Sequence, residues 1–230
     1  MSDVGDYHGF LYALSQRRPA LSWQGQSWPD IEEWRARGRA KMRELLSYDP
    51  APIPPSAEVL SSVKMDGYTR YLVRYPVAPD RTTEAFLLIP DGLTEPAPAV
   101  IALHDHGGFY YHGKEKVTQT DNPSLPLQAH IRESYGGRPY ADELARQGFV
   151  VLAPDAFYFG SQRLDPDTVS PRLTQALRRY ATGSDDYVRA YQGFAWQMEE
   201  LVARTVFAAG ATWPGILFQG DRVSLDFLLT

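Results

Sequence analysis

Two short uninterrupted apolar runs constrain this chain most: Ala-Val-Ile-Ala-Leu at residues 99–103 and Phe-Val-Val-Leu-Ala at 149–153. A strand with one wet face alternates apolar and polar residues, whereas a run apolar throughout belongs in a parallel sheet covered by helices on both sides. Between the runs, Pro139 to Gln147 reads as a short helix, with Asp142 and Glu143 in its first turn, Arg146 near its end and Gly148 just past it. The spacing therefore predicts strand, helix and parallel strand, the strands lying over Ala97–Leu103 and Phe149–Ala153. Ahead of this unit, Tyr68–Tyr75 and Glu84–Ile89 follow a period of two and predict an antiparallel pair joined through Pro79-Asp80-Arg81.

The first fifty residues follow a different pattern. Ser27-Trp28-Pro29-Asp30 reads as a capping-box start, and Ile31, Trp34, Met42, Leu45 and Leu46 fall on one helix face. Prolines 50, 52, 54 and 55 then end the helix in a stiff extended segment. This predicts a helical N-terminal arm with a Pro-rich linker over residues 1–64 and a core over 65–230. Late in the chain, Phe194, Met198, Leu201, Val202, Thr205, Val206 and Ala209 trace one helical stripe, and Ile216, Leu217, Val223, Leu225 and Leu228 trace another.

Composition removes several function classes. The absence of cysteine excludes disulfides, thiolate metal sites and a cysteine nucleophile. With 28 acidic against 23 basic residues, the chain lacks the basic excess that a polyanionic backbone rewards, so nucleic acid is not an expected partner. The acidic start Met1-Ser2-Asp3-Val4-Gly5-Asp6 lacks a basic signal-peptide region, and no window reaches the roughly 18 apolar residues of a membrane span. A cytoplasmic protein without membrane association is expected.

Chemistry concentrates in Leu103-His104-Asp105-His106-Gly107-Gly108, which leaves the first apolar run at its C-terminal end, where open α/β sheets place their sites. After the helix come Gly148-Phe149-Val150-Val151-Leu152-Ala153-Pro154-Asp155 and then Gly160-Ser161. In order and spacing, the stretch from about Gly67 to Thr230 resembles the N-terminal half of the α/β-hydrolase superfamily, specifically its dienelactone-hydrolase and acetyl-xylan-esterase-like branch. The resemblance rests on the His-Gly-Gly turn and on that branch's D-x-R-G-x-G-x-S stretch, in which Phe157 here replaces the usual Arg. It implies an α/β fold with a mostly parallel sheet, flanking helices, and inserts at about 111–138 and 156–193 forming a cap.

By the same resemblance, Gly107 and Gly108 supply backbone donors to an oxyanion, and His104 and Asp155 are structural. Phe109, Tyr110, Phe157 and Tyr158 follow strand ends and, with His106, are expected around a substrate cleft. Neither a metal nor an organic cofactor is expected. The implied activity is hydrolysis of a small-molecule carboxylic ester through a serine acyl-enzyme. That chemistry needs a G-x-S-x-G turn followed by Asp or Glu and then His. Ser161 is followed by Gln162-Arg163, Ser184 sits in Gly183-Ser184-Asp185-Asp186, and no histidine follows His130. The chain thus reads as truncated before its nucleophile, with the triad supplied by a missing C-terminal half or a second chain. Alone it is expected to be inactive and, with an apolar strand edge unpaired, marginal or self-associating.

Other readings compete. A non-catalytic or vestigial module would keep the aromatic cleft without the chemistry. Gly108-Phe109-Tyr110-Tyr111-His112-Gly113-Lys114 matches the G-x-x-x-x-G-K of nucleotide-binding loops, but Glu115 stands where a Mg²⁺-ligating Ser or Thr is needed. His104 and His106, with Asp105, His112 and Glu115, offer N/O ligands without a complete metallohydrolase pattern. Ser61-Ser62-Val63-Lys64 spells S-x-x-K without its partner motifs and reads as linker.

Overall fold

β-Branched and aromatic residues build β2 (Tyr68–Ala78) and β3 (Arg81–Pro90), which pair antiparallel as expected, Leu72 opposite Phe86 and Tyr75 opposite Thr83. The structure, a computed structural model, describes residues 3–16, 19–24, 27–54 and 56–230, so Pro55 of the expected linker lies outside the described residues. β1 (Glu58–Lys64), β4 (Ala99–Ile101) and β5 (Val150–Pro154) complete a sheet of order β1-β2-β3-β5-β4. β4 and β5 are parallel, Val100 opposite Val151, as the continuous apolar runs predict. The sheet as a whole is mixed rather than mostly parallel: β1 with β2, β2 with β3 and β3 with β5 all run antiparallel, because hairpins contribute three of the five strands. β4 is the end strand, paired on one side with β5.

Residues 58–64, expected as linker, form an edge strand instead. Prolines stop before them, and Val59, Ser61, Ser62 and Val63 pair with Val73, Leu72, Tyr71 and Arg70. The S-x-x-K residues are therefore sheet residues. The chain divides into two units, Met1–Ser47 and Tyr48–Thr230. In the first, α1 (His8–Ser15) precedes α2 (Ile31–Leu46), and neither buries a residue. The cap of α2 is Asp30 rather than Ser27: its extended backbone aims the carboxylate at Glu33 N–H, 2.8 Å away.

In the second unit, α4 (Tyr140–Arg146) covers one face of the sheet, where Ala141 and Ala145 meet Tyr68, Leu88, Ala102, Val151 and Ala153. α6 (Trp213–Leu228) covers the other, where Val223, Phe227 and Leu228 meet Val73, Tyr75, Ala85 and Leu152. Successive β5 residues therefore face opposite helices, which is why its sequence does not alternate. The two inserted segments, with α3 (Leu125–Tyr135) in the first, hold further clusters: Tyr110, Tyr158, Phe159 and Leu177 pack on Tyr187, Tyr191, Phe194 and Met198 of α5 (Asp185–Ala208). The stripe expected on α5 holds at Phe194 and Met198 and then lapses, since Leu201 is exposed; on α6, Val223 is buried but Leu225 is exposed. Among the described residues, no single helix is long and apolar enough to cross a membrane.

Candidate active site

The chain leaves the sheet after Ala102, whose N–H still donates to Leu152 O at 2.8 Å, and turns sharply through His106 to Phe109. Gly107 and Gly108 lie consecutively in the left-handed region, with φ of +50° and +65°, and Phe109 N–H closes the turn on His106 O at 3.1 Å. A Cβ on Gly107 would fall 2.0 Å from Asp105 Oδ2, so the turn also needs glycine sterically. Both glycines face solvent. Gly108 N–H donates to His106 Nδ1 at 3.1 Å, whereas Gly107 N–H has no hydrogen-bond partner among the described residues.

Side chains brace this turn from three sides. With Nδ1 accepting from Gly108, His106 Nε2 carries the proton and donates to Glu199 Oε1 at 2.9 Å, while Tyr110 donates to Glu199 Oε2 at 2.6 Å. Asp105 accepts from Tyr135 at 2.5 Å and pairs with His130 Nε2 at 3.1 Å; these bonds outweigh burial, which alone would raise it, and hold its carboxyl below the ordinary range. From beneath, the fully buried Lys116 donates to Asp105 O at 2.7 Å and His106 O at 3.3 Å. Burial pushes its ammonium down to about 8 despite the opposing pull of Asp105, Asp155 and Glu115.

Asp155, at the end of β5, organises the neighbouring loop. Its carboxylate accepts Lys114 N–H and Ser161 N–H, each at 2.7 Å, and pairs with the buried Lys114 ammonium at 2.8 Å. Asp155 and Glu115 outweigh desolvation at Lys114 and raise its pKa. Lys114 thus supplies the cation that balances the buried Asp155 carboxylate. Gly160 fits because any Cβ there would lie 2.2 Å from Asp155 Oδ1. His104 donates from Nδ1 to Asp105 O at 2.9 Å and accepts from Ala156 N–H at Nε2, 3.1 Å away; burial first and the Lys116 charge second lower its pKa and keep it neutral.

Several sequence expectations are corrected by these contacts. Phe109, Tyr110 and Tyr158 are interior residues instead of cleft walls, because Phe109 stacks on His130 at 4.7 Å and Tyr110 and Tyr158 join the α5 cluster. Phe157 is half-buried against Trp213, and only His106 of that set stands at the surface beside the turn. Nucleotide binding through Gly108–Lys114 fails on geometry: the Lys114 ammonium is consumed by Asp155 and Glu115, and Gly113 abuts Asp155. Both ring nitrogens of His104 are engaged by backbone, leaving no lone pair for a metal, and no group of three metal-type ligands occurs among the described residues. Ser161 Oγ accepts Glu84 N–H at 2.9 Å and serves as a loop fastener. Sequence reasoning missed Lys116, His130, Tyr135 and Glu199, and it placed Lys114 in a phosphate-loop pattern instead of beside Asp155.

No family model matches the sequence, and no curated protein matches it. Among solved structures, a Bacteroides fragilis NCTC 9343 protein provisionally described as an acetyl xylan esterase aligns at 18% identity with a TM-score of 0.69, over 98% of this chain and 50% of its own. This chain therefore spans about half the length of that structure. A glucuronoyl esterase from Solibacter usitatus aligns at 16% identity over 73% of this chain and 43% of its own, but its TM-score of 0.34 is too low to bear on the fold. The likeness shows the fold alone: a mixed α/β fold shared with that structure, with helices on both faces of a five-stranded sheet.

Proposed function

We propose that the turn from His104 to Phe109 is the oxyanion-binding side of a carboxylic-ester hydrolase of α/β-hydrolase type, akin to the dienelactone-hydrolase and acetyl-xylan-esterase-like branch. The observation that carries this reading is the pair of left-handed, solvent-facing glycines at the sheet's C-terminal rim, with the N–H of Gly107 unpaired among the described residues. Donors fixed in advance at developing negative charge stabilise a tetrahedral intermediate by roughly 3–4 kcal/mol each. The substrate is a small-molecule ester, and the chemistry requires no cofactor. The serine nucleophile, its acid and its base come from polypeptide outside these 230 residues, in a further segment or a second chain. Gly108 joins the hole once His106 Nδ1 releases its N–H.

Methylphosphonate, a tetrahedral anion, tests the donors directly in amide NMR spectra of the ¹⁵N-labelled chain. Saturable shifts at Gly107 and Gly108, with p-nitrophenyl acetate hydrolysed no faster than in buffer, are expected. Unmoved glycine amides would overturn the oxyanion role, and enzyme-like turnover by these residues alone would overturn the external nucleophile.

A further inference from the structure

We infer that Lys116 is the positioning residue of this turn: its buried ammonium fixes the direction of the His106–Gly107 peptide and so points the Gly107 N–H outward. The inference rests on the oxyanion reading above. In a trans peptide the C=O of one residue and the N–H of the next point in opposite directions. Lys116 Nζ lies 3.3 Å from His106 O and 2.7 Å from Asp105 O, and no cis peptide occurs among the described residues. Drawing the His106 carbonyl inward, where it also accepts Phe109 N–H at 3.1 Å, therefore turns the Gly107 N–H toward the exposed side, where it has no partner among the described residues. Were that peptide reversed, its carbonyl oxygen would occupy the surface position and repel an anion.

The surroundings of Lys116 are arranged for this task. Its ammonium sits 4.6 Å from the Phe159 ring centroid and 5.9 Å from that of Phe109, which exclude water and hold the cation by its attraction to ring faces. The closest carboxylate oxygen, Asp105 Oδ1, is 3.9 Å away and already bound by Tyr135 and His130, so the shorter contacts are the two carbonyls. The charged and titratable groups facing Lys116 are Asp105, Glu115, Asp155 and His104. A cation on the carbonyl also polarises the shared peptide and strengthens its N–H as a donor.

The full chain, labelled with ¹³C at the lysine side chain and ¹⁵N at the backbone, provides the test. Lys116 Cε and the Gly107 amide are expected to titrate together with a midpoint of about 8, while Lys116→Met abolishes the Gly107 step. Lys116→Met is also expected to weaken methylphosphonate binding about tenfold, as one hydrogen bond to a charged group is worth, with an unchanged far-ultraviolet spectrum. A Gly107 amide that ignores the Lys116 titration overturns the inference, and this measurement holds even if the variant fails to fold. A folded Lys116→Met that binds methylphosphonate as the parent does also overturns it. If the parent chain binds no anion while Gly107 still follows Lys116, the oxyanion reading fails and the peptide-orienting role stands.

Discussion

Gly107 and Gly108 share a backbone region but not a steric environment, and alanine separates the two. At 107 a Cβ would lie 2.0 Å from Asp105 Oδ2 and 2.6 Å from His130 Cε1, whereas at 108 it meets no atom within 4 Å. Gly108→Ala is expected to cost only the left-handed strain, about 1–2 kcal/mol, and Gly107→Ala several-fold more, as read by urea denaturation. Equal losses would mean that Asp105 and His130 yield freely. Lys114 invites a second comparison. Lys114→Met strands the Asp155 carboxylate in the interior and should cost about 3–5 kcal/mol, partly restored by adding Asp155→Asn. A loss below about 1 kcal/mol would mean that the pair behaves like a surface one. The sequence pointed to Asp155 and His104 as structural residues, and each keeps a near neighbour, Ser161 and Asp105, but Lys114 and Ala156 lie 41 and 52 positions away in the chain, and no local pattern encodes such distances.

Elements were legible wherever one periodicity dominated. The hairpin, the paired apolar runs and the helix between them follow from alternation and from burial on two faces, while β1 was hidden by the prolines before it and by side chains that remain mostly exposed. The stripes on α5 and α6 were overextended because amphipathic spacing continues past the surface available to cover it. On α6, burial raises the Asp221 carboxyl to about 6. The folded chain then binds this proton more tightly than the unfolded one, so the stability contributed is complete below about pH 4 and is lost as pH rises through about 6. Asp221→Asn should therefore gain on the parent between those values and keep an advantage of about 1–2 kcal/mol at neutral pH, allowing for partial exposure. Thermal melts across that range check it; a constant difference would place Asp221 in water. At the sheet's end, the edge of β4, which no strand among the described residues pairs, should promote concentration-dependent association, measurable by sedimentation and reduced by Ile101→Lys. A parent chain that stays monomeric at every concentration would contradict this.

At the scale of the whole molecule, every hydrophobic cluster among the described residues draws on position 65 onward, and α1 and α2 bury none. Deleting residues 1–47 should therefore leave the melting temperature of the remaining unit within a few degrees of the parent value, by circular dichroism, corresponding to less than about 1 kcal/mol. A collapse of cooperativity would show that the arm carries stability. The α/β class was legible from patterning alone, while the mixed strand directions required knowing which hairpins share a sheet. Helices α4 and α6 lie on opposite faces, and handedness gives that placement a consequence. The connection from β4 through α4 to β5 advances the sheet one way; a right-handed crossover from β5 through α6, on the reverse side, must advance it the other. Any strand docking parallel by that route would pass over β4 and settle beside Val100, opening at its tip a crevice directly facing Gly107.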